Sequence, residues 1–190
     1  MSGAPTRSLY LVRHAFAAHA DPGLWPDAFQ RPLTPERGGQ FRAAARGLRE
    51  LAPHVDCVLS SVYASAWETA ELLHDVTGWP RPEPCPALGP EWPPASALDV
   101  LRERGERSIA LVGHEPYLSG VTSLLCAGHE ELLRLELKKG AVAFVRVERD
   151  IRPDAGCLLW SVTPKILRGL DGLDGIRKHQ RRTAVGLRTP

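Results

Sequence analysis

A chain of 190 residues with 43% hydrophobic and 24% charged residues has one sizeable core's worth of apolar material, and its composition is neither disordered nor fibrous. The formal net charge of +2 is concentrated in residues 171–190, which carry five Lys/Arg against two Asp, so the remaining chain lacks the basic face that a nucleic-acid partner requires. Cys57, Cys85, Cys126 and Cys157 show neither CxxC nor zinc-type spacing, and no apolar run has the length needed to cross a bilayer. A reduced, cytoplasmic protein without a membrane partner is the expectation, and "MSGAPTRS" at the start lacks signal-peptide character.

In chain order, residues 9–12 form an apolar run too short for a helix, which reads as a strand buried on both faces and running directly into Arg13 and His14. The stretch "PLTPERGGQFRAAARGLREL" then reads as a helix. Thr34 suits its cap, Pro35 its first turn, and Phe41, Ala44, Ala45, Leu48 and Leu51 recur at helical spacing. "CVLS" (57–60) is the second strand, followed by a helix starting near Val62 and stopped by Gly78 and Pro80. Residues 79–94 are proline-rich and read as an irregular excursion, either a rim or a linker. "SIALVG" (108–113) is the third strand and "PYLSGVTSLLCAG" its helix, with Leu118, Val121, Leu124 and Leu125 on one side. The runs at 141–148 and 157–162 have no helix between them and predict an antiparallel hairpin at a sheet edge.

Strands alternating with helices predict an α/β domain with a mostly parallel sheet over residues 1–170, and residues 171–190 read as a basic, solvated tail. In such sheets ligands sit at the carboxyl ends of the strands. Arg13, His14, Ser60, Ser61 and His114 all fall there. Two imidazoles, a guanidinium, hydroxyls and the start of a helix suit a tetrahedral oxyanion such as phosphate. Arg13 beside His14 disfavours protonation of the imidazole, which leaves it a lone pair for attack on phosphorus.

Five stretches carry a resemblance: "LVRHA" (11–15), "RPLTPERG" (31–38), "SSVYASAWETAELL" (60–73), "LVGHEP" (111–116) and "LKKGAVAFVRVE" (137–148). In order, they resemble the histidine phosphatase superfamily, and the short chain, "RPLT" and "LKKGA" resemble its SixA-like phosphohistidine phosphatase branch most. The resemblance implies a phosphoglycerate mutase-like, three-layer sandwich with a central, mostly parallel sheet flanked by helices. It implies that His14 is the nucleophile that becomes phosphohistidine, that Arg13 holds the equatorial oxygens, and that His114 donates a hydrogen bond to them. It also implies that no metal or other cofactor is needed, the cationic pocket taking that role, and that the partner is a phosphorylated small molecule or phosphoprotein.

Two departures stand out. The family pattern S-P-x-x-R-A-x-x-T-A aligns with residues 61–70, and Ser65 stands where a second phosphate-binding arginine is expected. Arg31 is the leading substitute, ahead of Arg37 and Arg42, and turnover falls sharply unless some cation compensates. Second, Phe16 follows Ala15 where many members carry an acid, leaving Asp21, Asp27, Glu91 and Glu115 as weak candidates for general acid. A phosphoramidate, whose leaving group is a weakly basic imidazole once protonated, needs less help than a phosphoester, which favours a labile phosphate as substrate. The alternative reading is a catalytically impaired phosphate-binding or phosphoprotein-binding module. A metal hydrolase is weaker, since carboxylates at ligand spacing are missing. Trp67 and Trp160 read as packing residues, and Trp25, Trp79 and Trp92 as rim residues.

Overall fold

The computed structural model describes residues 6–17, 28–148 and 150–171. Asp21, Trp25, Asp27, the tail beyond residue 171 and the side chain of Arg37 lie outside the described residues.

Six strands form one sheet in the order β3-β2-β4-β1-β5-β6. They are β1 (Arg7–Arg13), β2 (Cys57–Ser60), β3 (Glu83–Pro84), β4 (Ser108–Gly113), β5 (Val142–Val147) and β6 (Gly156–Val162). β1 pairs in parallel with β4, which pairs in parallel with β2, and β2 with β3. β5 runs antiparallel to both β1 and β6, so the predicted edge hairpin is present.

Alternation along β1 sorts the two faces, because successive strand residues point to opposite sides. Leu9 and Leu11 join Ile109 and Leu111 against α3 (Ala95–Glu103) and α4 (Tyr117–Ala127), where Leu98, Leu101, Leu118 and Val121 are buried. Tyr10 and Val12 join Val58, Ala110 and Val112 against α1 (Pro35–Leu51), α2 (Ala64–Thr77) and α5 (Pro164–Asp171), through Phe41, Ala44, Leu48, Leu73 and Leu167. Helices on both faces of the sheet make the three-layer sandwich. Each fully buried leucine contributes roughly 1.5–3 kcal/mol, so the sheet is locked from both sides.

The proline-rich excursion is more ordered than its composition suggests. Cys85 N–H donates to the Ser60 carbonyl (2.7 Å), seating β3 beside β2, and a short 3-10 turn at Pro86–Leu88 precedes α3. Trp79 is not a rim residue. It is 1% exposed, its Nε1–H donates to the Ala52 carbonyl at 3.0 Å, and its ring meets Tyr10 with centroids 6.1 Å apart; a tryptophan beyond a helix stop is worth burying wherever its N–H finds an acceptor. Trp160 packs on Tyr10 and Phe144 as expected of a packing residue.

Candidate active site

Strand register brings the predicted residues to one lip of the sheet. Arg13 lies opposite Gly113 and Ser60 opposite Val112. One residue further, His14 N–H donates to the Gly113 carbonyl and Ser61 N–H to the Val112 carbonyl, both at 2.9 Å. His14, Ser61 and His114 therefore leave their strands side by side. The rings of His14 and His114 have centroids 5.0 Å apart, and His114 Nε2 shares a hydrogen bond of 3.1 Å with Ser61 Oγ.

The tautomer of His14 follows from its partner. Nδ1 lies 2.6 Å from the Ala15 carbonyl oxygen, which can only accept, so Nδ1 carries the proton and Nε2 keeps the lone pair. Ala15 is pinned in turn: its N–H donates to Thr69 Oγ1 at 3.0 Å, and that hydroxyl donates to the Ser65 carbonyl at 2.6 Å. The first turns of α2 thus hold the peptide on which the imidazole rests.

Both imidazoles are neutral at physiological pH. Burial, then the charge of His114, Lys139 and Arg13, lowers the His14 pKa to about 3 against an opposing pull from the Ala15 hydrogen bond. Burial lowers His114 to about 4, aided by Arg13 and Arg31 and opposed by Glu91. A neutral ring is what a nitrogen nucleophile requires.

Three cations gather around the pair. Arg13 Nη1–H donates to the Leu137 carbonyl at 2.6 Å. Arg31 arrives because residues 31–34 fold back on the segment after His14: Leu33 bridges Ala17, Thr34 N–H donates to the Phe16 carbonyl (3.4 Å), and Leu33 N–H donates to Glu68 Oε2 at 2.6 Å. The Nε–H groups of Arg13 and Arg31 are buried with no hydrogen-bond partner among the described residues, an arrangement that an oxyanion would relieve. The third cation, Lys139, is one that the sequence reading missed, although "LKKGA" contained it. Burial and the charges of Arg13 and Arg31 lower its pKa. A lysine's reach on a four-carbon stem is not legible in a pattern, which is why the motif gave no warning.

Ser65 is buried in the first turn of α2, 4% exposed, and it brings no charge to the lip. Arg42 pairs with Asp75 at 3.6 Å. Of the acid candidates, Glu91 accepts from Tyr63 Oη at 3.3 Å, and Tyr63 stands edge-on to His114 with centroids 5.0 Å apart. Glu115 follows His114 in the chain; Oε2 accepts from Ser119 Oγ at 2.6 Å, Oε1 is buried without a partner among the described residues, and burial raises its pKa. Trp92 is exposed, consistent with a rim. Among the described residues no group of three or more His, Cys, Asp or Glu is arranged to hold a metal ion, and no helix is long and apolar enough to cross a membrane.

No protein-family model matches the chain. An uncharacterized protein of Picosynechococcus sp. is 30% identical over 142 residues, which is 73% of this chain and 84% of that protein. Among solved structures, the protein histidine phosphatase SixA complexed with tungstate superposes with a TM-score of 0.72 at 23% identity, covering 84% of this chain and 99% of that one. SixA of Nakamurella multipartitia gives 0.69 at 21% identity over 86% and 99%. A mycobacterial glucosyl-3-phosphoglycerate phosphatase complexed with VO3 gives 0.60 at 16% identity over 81% and 98%.

Proposed function

Since this chain belongs to one family with the Picosynechococcus protein and has the histidine phosphatase fold, we propose that it is a metal-independent phosphatase working through a phosphohistidine intermediate on His14. The observation that carries this reading is the state of His14: a buried ring, neutral at pH 7, with Nδ1–H committed to the Ala15 carbonyl and the lone pair left on Nε2. In the first step Nε2 attacks phosphorus, a nitrogen–phosphorus bond forms, and the bond to the leaving group breaks with its electron pair. Water then attacks the phosphoryl group, inorganic phosphate departs, and the electron pair of the nitrogen–phosphorus bond returns to Nε2. Arg13 and Arg31 bind the equatorial oxygens and His114 donates to them, so charge that spreads over those oxygens in the transition state meets fixed donors.

The substrate class is a phosphoramidate, phosphohistidine on a protein or another small labile phosphate. Glu91 accepts from Tyr63 and Glu115 from Ser119, and among the described residues neither carboxyl is hydrogen-bonded to the His14 or His114 ring. An imidazole leaving group that already carries its proton departs without one, whereas an alkoxide does not. The structural neighbours complexed with tungstate and with VO3 bind oxyanions, which supports an oxyanion ligand for this fold.

The test is to react the purified chain with a phosphoramidate and to trap acid-labile, base-stable phosphate on the protein. The label is expected in wild type, absent in His14→Ala and indifferent to chelator. Binding of inorganic phosphate without any burst of product would favour the second reading, a phosphate-binding module, which Ser65 motivates.

A further inference from the structure

We propose that Lys139 is a phosphate-binding residue, supplying to the equatorial oxygens the positive charge that Ser65 does not. The assignment rests on the phosphatase reading and names a further member of the same site.

The backbone fixes where this lysine stands. Residues 138–141 form a tight turn in which Ala141 N–H donates to the Lys138 carbonyl at 2.7 Å. At its corner Gly140 has φ of 75°, a conformation that suits glycine, and its N–H is shared between the carbonyls of Arg13 and His14 at 3.1 Å each. The residue before Gly140 is therefore tied to the peptide of the nucleophile itself. Its side chain is steered as well: Lys139 Nζ lies 5.5 Å from the centroid of the Phe16 ring, two residues beyond His14, within the range at which a ring face attracts an ammonium.

Its surroundings are those of a ligand-binding charge. Among the described residues no carboxylate forms an ion pair with Lys139, and the charges acting on it are those of Arg13 and Arg31, both repulsive. The carboxylates near the site interact elsewhere, Glu115 with Arg13 and Glu91 with His114, so Lys139 meets only repulsion from its two neighbouring cations, which a bound phosphoryl dianion would offset. The charge of Lys139 reaches His14, where together with that of Arg13 it disfavours protonation of the ring. A lysine offers three donors on a compact, rotatable head, which fits the oxygens of a phosphoryl group without the planar fork that arginine imposes.

The experiment titrates inorganic phosphate into full-length wild type, Lys139→Met, Lys139→Arg and the double variant Lys139→Met with Ser65→Arg, each checked for folding by circular dichroism, and measures kcat and KM with a phosphoramidate. Lys139→Met is expected to weaken phosphate binding by about tenfold or more and to lower kcat/KM at least as much, as loss of a charged hydrogen bond does. Lys139→Arg should bind within a few-fold of wild type, and arginine at position 65 should restore binding to the Lys139→Met chain. A folded Lys139→Met variant that binds phosphate and turns over as wild type does would overturn the assignment of Lys139 and leave the phosphatase reading standing. Wild type that neither binds phosphate nor forms phosphoprotein would overturn both.

Discussion

The imidazoles of His14 and His114 stand with ring centroids 5.0 Å apart and planes tilted by 51°, and each lies within a shell of cations. Protonating His14 costs energy against His114, Lys139 and Arg13, and protonating His114 costs energy against Arg13 and Arg31. In the proposed mechanism the pair is consequently a neutral nucleophile beside a neutral hydrogen-bonding ring, with the positive charge for a phosphate held on arginine and lysine instead. That separation keeps the attacking lone pair available.

The first prediction concerns acid. The folded pKa values of about 3 for His14 and about 4 for His114 lie below the ~6.5 of an unfolded histidine, so the unfolded chain binds more protons in that interval. Stability is therefore fully present above pH ~6.5 and is lost as pH falls towards the folded values, by up to ~1.4 kcal/mol per pH unit for each histidine. Ring resonances of both residues should not titrate between pH 8 and about 5.5. Urea unfolding at pH 7 and pH 5 should show a smaller loss in His14→Asn than in wild type; an equal loss would mean that His14 is not buried neutral.

A second prediction targets the support of the proposed nucleophile. Thr69 Oγ1 accepts from Ala15 N–H and donates to the Ser65 carbonyl, all three residues being buried. Thr69→Val keeps the shape but strands the Ala15 N–H, at a cost of about 1–3 kcal/mol. Because the Ala15 carbonyl sets the tautomer of His14, kcat should fall more than KM rises. Loss of stability with unchanged kcat would reduce Thr69 to a packing role.

Glu68 gives the third. Its Oε2 accepts from Leu33 N–H at 2.6 Å and so holds the segment that delivers Arg31. Glu68→Ala should raise KM several-fold and weaken inorganic phosphate binding, while Glu68→Gln, which retains an acceptor, should preserve most of both. Equal damage in the two variants would point to the charge of Glu68 rather than to its hydrogen bond.

Much of this arrangement was legible in the sequence because strands announce their ends. The runs at residues 9–12, 57–60 and 108–113 stop at polar side chains, and parallel pairing then forces Arg13, Ser60 and His114 to one lip. What escaped was set by packing and reach. α3 is nine residues long and follows two prolines, so only Ala97, Leu98 and Leu101 betray it. Trp79 looked like a rim residue because its burial depends on a carbonyl at Ala52, distant in sequence. Lys139 was hidden for a similar reason: its proposed role depends on a turn that clasps the end of β1.

Replacing Ser65 supplies the fourth prediction. Ser65→Arg should raise phosphatase activity, by about tenfold or more if the new guanidinium makes a charged pair with phosphate. The gain should be larger in a Lys139→Met background than in wild type, since two residues serving one group are not additive. Identical gains in the two backgrounds would show that positions 65 and 139 act on different atoms.

The fifth prediction tests the scaffold far from the chemistry. α5 crosses α1 at Gly47, where an added Cβ would lie 1.8 Å from the Leu167 carbonyl oxygen and 3.3 Å from the Asp171 amide nitrogen. These are backbone atoms and cannot swing aside as a flexible side chain would, so Gly47→Ala must push the helices apart even though alanine is the better helix former by ~1 kcal/mol. Separation would uncover Leu167, 1% exposed, and part Arg46 from Asp171, whose ion pair spans 2.9 Å; lost burial of one leucine alone costs about 1.5–3 kcal/mol. Arg168 and Pro164 of the same helix line a small cavity with Phe16, Lys139 and Gly140, so displacement of α5 should also weaken phosphate binding. Chemical denaturation of Gly47→Ala against wild type, with phosphate titration on the folded fraction, separates the two effects. A variant as stable as wild type would mean that α5 does not dock on α1 by this close backbone approach.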